Sequence, residues 1–148
     1  MKKLAVLGLT AALAGISSAA LAAPKPFEAI EYRQGIFKAV KWNFGPMGDM
    51  MKGKSEFNAE EFKSRADNLA ALSKMPLEGF VAGTYSSKTA ALPAIEDDWE
   101  TFAKGMENFQ TASAALAETA KSGDKGEIGP AFMQVAKTCK GCHDQFKD

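Results

Sequence analysis

The stretch P-A-I-E-D-D-W-E-T-F-A-K-G-M-E-N-F-Q-T-A-S-A-A-L-A-E-T-A-K, from Pro93 to Lys121, carries the clearest structural signal of this 148-residue chain. Its apolar stripe consists of Ile95, Trp99, Phe102, Met106, Phe109, Leu116 and Ala120. These residues recur at alternating steps of four and three, broken only by Ser113, which is typical of a helix packed nearly parallel to its neighbours. Pro93 suits the first turn, and Gly123 suits the left-handed position just past the end. The stretch therefore predicts one long helix.

Two other blocks repeat this helical rhythm. The stripe of the first block is Ile30, Arg33, Phe37, Val40 and Phe44. We expect this block to end in the glycine-rich G-P-M-G stretch, residues 45–48. The stripe of the last block is Ile128, Phe132, Val135, Cys139, Cys142 and Phe146. We expect Gly129-Pro130 to restart or kink its first turn, because proline is tolerated only there in a helix.

A fourth helical block runs from Asn58, which pairs with Glu61 as in a capping box, to Met75 before Pro76. Its expected inward positions are Phe62, Ala66, Leu69 and Leu72. Almost nothing in the chain is typical of a strand. Four helices with one apolar stripe each can bury those stripes only against one another, so the sequence predicts an all-α four-helix bundle.

The N-terminal segment has the pattern of a secretory signal peptide. Lys2 and Lys3 precede an apolar run at residues 4–16, and Ala20-Leu21-Ala22 offers a small-x-small cleavage site. The run is too short for a convincing membrane span, although a retained anchor is the alternative. We therefore expect residues 1–22 to be cleaved, leaving residues 23–148 as an exported domain without stable membrane insertion.

Charge excludes one class of partner. The chain has 18 basic and 18 acidic residues, and loss of Lys2 and Lys3 would leave a net charge near −2. No basic stripe exists to follow a phosphate backbone, so nucleic acid is not an expected partner.

Both cysteines and the only histidine of the chain lie in T-C-K-G-C-H-D-Q-F, residues 138–146. On a helix, Cys142 lies ~60° behind Cys139 and His143 lies ~40° ahead of it, so all three share the face of the apolar seam. C-x-x-C-H is the attachment signature of haem c. The pattern predicts thioethers from the two cysteines and an axial iron bond from His143.

Other interpretations of this cluster fit less well. Three closely spaced ligands wrap a tetrahedral zinc ion poorly, and a redox C-x-x-C belongs at a helix N-terminus after a strand. A disulfide across three helical residues has poor geometry.

The sixth position of the iron is open from the residues alone. No second histidine exists, and the candidate methionines are Met47, Met50, Met51, Met75, Met106 and Met133. Their expected positions, in a turn, in the core or on the helix of His143 itself, count against them.

The chain resembles cytochrome c′, the high-spin class II cytochromes c. The resemblance runs from E-Y-R-Q-G-I-F at residues 31–37, through A-L-P-A-I at residues 91–95, to C-K-G-C-H at residues 139–143. It implies an up-down-up-down antiparallel bundle with one covalent haem c, in the periplasm. It also implies that Arg33 and Gln34 lie along the haem edge near the propionates. Burial of Arg33 on an apolar stripe would need such an anion; the alternatives are that it reaches solvent or pairs with Glu31.

The same resemblance places an apolar, non-coordinating residue over the distal face of the haem, and here that residue is Phe37. It implies five-coordinate iron with His143 as the only protein ligand; the alternative is that Phe37 is ordinary core. Family members often carry an arginine shortly after the histidine, whereas this chain has Lys147, which keeps the charge but loses the planar fork.

The function implied is binding of NO, and more weakly of CO, for sequestration or transport. The alternative is an electron carrier between periplasmic redox partners, and nothing in the sequence suggests an enzyme. The family often forms homodimers through its first two helices, and Ala29, Ile36 and Ala39 could give the first helix a second apolar strip.

Overall fold

The computed structural model describes residues 25–85 and 88–148, and the predicted signal peptide lies outside these residues. The long helices are α1 (Pro26–Met51), α2 (Ala59–Leu72), α4 (Trp99–Ala120) and α5 (Lys125–Phe146), with a short α3 (Ala94–Asp97) and a 3₁₀ turn (Pro76–Gly79) between α2 and α4. The four long helices form the predicted antiparallel bundle. The described residues include no strand, only an isolated bridge between Ala91 and Lys147.

Local capping signals explain where α2 and α4 begin and end. The Asn58 side chain accepts a hydrogen bond of 2.9 Å from the Glu61 amide, as the capping pattern predicted. Gly123 has φ +68°, which confirms the left-handed position after α4. The prediction of one helix starting at Pro93 is wrong. Asp98 breaks it, with φ −137° and ψ 60°, and its side chain caps α4 by accepting from the Thr101 amide at 3.2 Å.

Prolines do not end the helices where the sequence suggested. The predicted end of α1 in the glycine-rich stretch 45–48 is wrong, because α1 continues through Pro46 to Met51. Its apolar stripe continues as well, since Met47 and Met50 are buried. Their burial stabilises the additional helical turns after Pro46. The predicted restart of α5 at Gly129-Pro130 is also wrong, since α5 begins at Lys125.

The core lies along the facing stripes of the long helices. The largest apolar side chains that are fully buried there are Phe62, Phe102, Met47, Leu69, Ile95, Leu116, Ile128 and Val135. Phe44 of α1 stacks on Phe132 of α5 with ring centroids 4.5 Å apart, which joins the first and last helices.

Burial corrects one predicted inward position and one predicted outward position. Trp99, placed on the α4 stripe by the sequence, is 44% exposed because the break at Asp98 leaves it in the first turn. Ala29, expected on an outer apolar strip, is buried, and a Cβ on Gly79 would lie only 3.3 Å from its carbonyl oxygen.

Candidate functional site

The two cysteines lie in the last third of the 22-residue helix α5 and pack, half-buried, against the core. Both thiols are free. Burial raises the pKa of Cys139 and of Cys142, and the neighbouring Cys139 adds to the rise at Cys142. A raised pKa is the opposite of what a disulfide-exchange centre needs, because the thiolate is the nucleophile. The thiols therefore lack the lowered pKa of a disulfide-exchange centre.

His143 lies at the edge of this face and is exposed, so the prediction that all three side chains lie on the buried seam holds only for the cysteines. Its pKa is lowered, first because neighbouring protein atoms partly desolvate the imidazole and then because of the positive charge of Lys147. The carboxylate of Asp144 acts in the opposite direction. A lowered pKa keeps the imidazole neutral near pH 7, and the neutral ring has the nitrogen lone pair that a metal needs.

Arg33 of α1 is 2% exposed, which confirms its predicted place on the buried stripe. One terminal nitrogen donates to Gly79 O at 2.9 Å and Thr84 Oγ1 at 2.6 Å, and the other donates to Thr84 O at 2.6 Å and Thr89 Oγ1 at 3.3 Å. The ion pairs found in the described residues do not involve Arg33, so the expected alternative of a pair with Glu31 is wrong, as is escape to solvent.

Aromatic rings surround the guanidinium. Its carbon lies 4.9 Å from the Phe80 ring centroid and 5.4 Å from that of Tyr85. Desolvation lowers the pKa of Arg33, and Coulombic attraction to Tyr85 partly offsets this. A buried cation beside neutral oxygens and ring faces is a position that an additional anion would stabilise further.

Phe37, one turn beyond Arg33, is half-buried and packs edge-to-face on Phe80 at 6.3 Å. Phe80 in turn packs on Phe102 at 4.6 Å, and Phe102 packs on Phe146 of α5 at 5.3 Å. This chain of rings connects the predicted distal residue on α1 with the turn of α5 that carries His143.

Gln34 completes the predicted set, with its side-chain nitrogen donating to Lys88 O at 3.1 Å.

The sequence did not indicate the side chains that hold Arg33 and Phe37, namely Phe80, Thr84, Tyr85 and Thr89. They lie between the 3₁₀ turn and α3, where no helical period marks inward positions. A Cβ on Gly79 would lie 2.9 Å from Tyr32 Cδ1 and 3.0 Å from Arg33 Cβ, so this close approach favours glycine, but nothing in the sequence marks it.

Met75, which is 40% exposed, lies near α1, since its carbonyl oxygen accepts a hydrogen bond of 3.4 Å from the Tyr32 hydroxyl. The other methionines are distributed away from this aromatic chain, with one exception. Met47 follows Phe37 by ten residues and Met133 precedes His143 by ten, so each lies ~15 Å away along its helix. Met51 lies beside Gly129 at the other end of α5, since a Cβ added to Gly129 would lie 3.7 Å from Met51 Cε. Met106 is the exception: it is one turn after Phe102 in α4 and belongs to the buried core.

The residues fit a haem c. α5 supplies two neutral thiols and a neutral nitrogen ligand, and α1 supplies an aromatic ring, an amide and a buried cation. The thiols can form the thioethers, and the imidazole can bind the iron. The aromatic ring can cover one face of the haem, and the buried cation can balance the charge of a haem carboxylate.

A surface groove of about 530 Å³ opens between α4 and α5 beside Cys142. Lys104 and Lys137 line it together with Glu100 and several uncharged polar side chains. The side of Cys142 that faces this groove is therefore close to solvent and to positive charge.

Comparison with known proteins gives a consistent result. The sequence model of the family Cytochrome C' matches residues 28–147. Cytochrome c' of Halomonas halodenitrificans is 41% identical over 129 residues, which cover 83% of this chain and 98% of that protein. The structure of cytochrome c prime from Shewanella frigidimarina is similar with a TM-score of 0.82 and 51% identity, covering 84% of this chain and 97% of that one. A nitric oxide complex of a leucine-to-alanine mutant of cytochrome c prime from Alcaligenes xylosoxidans has a TM-score of 0.77 and 31% identity, covering 84% and 96%.

Proposed function

Because the chain belongs to the cytochrome c′ family and therefore binds haem c, we propose that it is an exported protein that binds NO and CO at five-coordinate haem iron. NO sequestration or transport is the role that this chemistry favours. A solved relative holds nitric oxide in a mutant form, which supports a gas as the ligand. Binding rather than catalysis is proposed, since the polar groups found around Arg33 are engaged with the loop that follows the 3₁₀ turn.

In this proposal Cys139 and Cys142 form the thioethers, and His143 is the axial ligand. Arg33 and Gln34 lie along the haem edge, where the buried guanidinium stabilises a propionate. The group itself supplies iron that coordinates small diatomic molecules. The protein supplies the orientation, the charge at the edge and the surface that decides which molecule enters.

The observation that carries the proposal is the position of Phe37. A phenyl ring has no lone pair for iron and no donor for a polarised bound gas. Its contact with Phe80, itself held by Phe102, fixes the ring on the inner side of α1. A distal donor stabilises bound O₂, whereas NO binds ferrous haem tightly without one, so the arrangement favours NO, with CO weaker and O₂ left without a stabilising donor.

The exported location is proposed from the N-terminal sequence, with residues 1–22 removed and residues 23–148 retained in the periplasm. Among the described residues, no helix is both long and apolar enough to cross a membrane. Electrophoretic mass of the protein purified from a periplasmic extract tests this part of the proposal.

A homodimer through α1 and α2 is also proposed, but the residues that support it differ from those expected from the sequence. Ala29 is buried, but Ile36 and Ala39 are half-exposed, and Trp42 on the same helix is 75% exposed. A large exposed aromatic ring is typical of an interface anchor. Sedimentation equilibrium of the holoprotein would give twice the monomer mass if this is right.

Electron transfer is the second candidate function, and the groove beside Cys142 favours it. Lys137 there offers a positive charge to an acidic redox partner on the side of α5 that carries the thioether, whereas Lys104 is already paired with Glu107 at 2.7 Å. In this case NO binding would be incidental to a carrier role.

Absorption spectra of the ferric and dithionite-reduced holoprotein, with and without CO and NO, test the primary proposal. We expect a broad, unsplit reduced band that changes sharply with either gas. Phe37→Met should supply a sixth ligand, giving sharp, split bands and loss of the CO response, while Phe37→Leu, the matched control, should keep the wild-type pattern. Sharp bands indifferent to CO in the wild-type protein would refute gas binding and leave electron transfer.

A further inference from the structure

Residues 88–92, which we call the clasp, connect α1 with the C-terminal end of α5. The Leu92 amide donates to Phe146 O at 3.0 Å, and the Asp148 amide donates to Ala90 O at 2.9 Å. Between these bonds, Ala91 forms the bridge to Lys147. The clasp therefore pairs with the backbone that begins three residues after His143.

The other side of the clasp is held by α1. Gln34 donates to Lys88 O at 3.1 Å, and Arg33 donates to Thr89 Oγ1 at 3.3 Å. Thr89 Oγ1 also accepts from the Ala91 amide at 3.1 Å. One hydroxyl oxygen thus joins the guanidinium on α1 to the residue that bridges Lys147.

A bond at the end of α5 matters because helix ends fray. The last carbonyls of a helix have no partner within it, and terminal turns open at little cost in free energy. Lys147, the residue after α5, is already extended, with φ −135° and ψ 133°. Leu92 supplies a donor to Phe146 O, so the clasp restrains the turn that carries His143.

We propose that Thr89 is a positioning residue that couples the two sides of the haem through the clasp. Its hydroxyl oxygen accepts from Arg33, which lies one turn before Phe37 on α1. The same oxygen accepts from Ala91, which pairs with Lys147 after the turn that carries His143. This inference rests on the proposed function for the roles of Phe37 and His143. A displacement of α1 at Arg33 or Gln34 is then transmitted to the axial histidine.

Thr89→Val removes the hydroxyl at nearly constant shape, and Thr89→Ser keeps it. In the holoprotein we expect Thr89→Val to lower the hydrogen-exchange protection of the Leu92 and Asp148 amides about tenfold, equivalent to ~1.4 kcal/mol. The iron–histidine stretching band of the ferrous form should shift or broaden, which a purely structural bond remote from the iron would not cause. Thr89→Ser should restore both readouts.

Thr119→Val is the matched control, because its hydroxyl bonds only to Ala115 O within α4. It should leave both readouts unchanged. Gln34→Ala, a change confined to α1, should also lower the protection of Asp148. Two results would refute the coupling between the two sides of the haem: no effect of Gln34→Ala on the protection of Asp148, or an unchanged iron–histidine band in Thr89→Val. In either case the clasp would only hold the chain locally.

Failure of the proposed function looks different. A six-coordinate wild-type spectrum would refute gas binding, while the exchange rates of Leu92 and Asp148 would still report on the clasp. A five-coordinate spectrum with unchanged exchange in Thr89→Val would overturn the clasp alone.

Discussion

Arg33→Met should destabilise the protein more than any surface substitution on α1, and the structure allows the size of the effect to be worked out. The change removes four donated hydrogen bonds from a side chain that is 2% exposed. Methionine replaces the alkyl stem and part of the volume. It offers no donor to Gly79 O, Thr84 O or the two threonine hydroxyls.

The cost comes from the acceptors that remain. A buried acceptor left without a donor costs ~1–3 kcal/mol. Gly79 is pressed against α1, so its carbonyl cannot turn to water without displacing the 3₁₀ turn. Removing the buried charge returns part of this energy, because desolvation of the guanidinium no longer opposes folding. The net loss should be ~2–4 kcal/mol.

Guanidinium-chloride unfolding of the ferric holoprotein, followed by far-UV circular dichroism, measures this difference. Arg65→Met is the matched control, since Arg65 is 22% exposed, pairs with Glu61 at 2.7 Å and donates to Trp42 O at 3.2 Å, and the loss of these contacts should cost about 1 kcal/mol. Arg33→Lys should fall between the two, because it keeps the charge but cannot reproduce the planar fork. A loss below 1 kcal/mol for Arg33→Met would refute the view that Arg33 holds the loop onto α1.

Two further substitutions test single contacts. Ser113→Ala should stabilise the protein by ~1 kcal/mol in the same unfolding assay, because the buried Ser113 Oγ has no partner among the described residues. Ser73→Ala is its control and should destabilise, since the equally buried Ser73 Oγ donates to Ala70 O at 2.9 Å; equal effects would contradict the reasoning. The hydrogen bond to Glu78 raises the pKa of Tyr32 in the folded protein above its value near 10 in the unfolded chain. The stability that this bond contributes should therefore be fully present below about pH 10 and be lost as the pH rises through the pKa of the folded protein. The stability difference between wild type and Tyr32→Phe should therefore be ~0.5 kcal/mol at pH 8 and vanish at high pH, and a difference that grows with pH would be the wrong sign.

The fold could be predicted where the signal is periodic and local. The α4 stripe from Phe102 to Ala120 and the cap at Asn58 were confirmed because spacing and a short side-chain bond decide them. The predictions failed at Asp98 and at residues 45–48 for different reasons. The cap at Asp98 is a local bond to the Thr101 amide, but the apolar spacing continues across it and hid the break. Burial of Met47 depends on tertiary packing, which overrides the local preference of Pro46.

The candidate site divides in the same way. Helical geometry was sufficient to place Cys139 and Cys142 together on the core face, and stripe position was sufficient to predict that Arg33 is buried. The partners of Arg33 could not be predicted, since Thr84 and Thr89 lie 51 and 56 residues away along the chain. No period or motif connects residues at such a separation, and only the folded backbone brings them together.

The proposed vacancy of the sixth position is supported by what each buried methionine would have to give up to bind the iron. Met106 is 3% exposed, so moving its thioether out of the core would leave a cavity and cost ~2–5 kcal/mol. Met47 and Met50 are buried in the last two turns of α1, and they could reach iron near Phe37 only if those turns unwound and the Phe44–Phe132 stack separated. A methionine bond would therefore have to exceed the core packing that it destroys. A phenyl ring at residue 37 needs no such exchange, because Phe80 already holds it in place, and under the proposed function an incoming gas would have to displace only that ring.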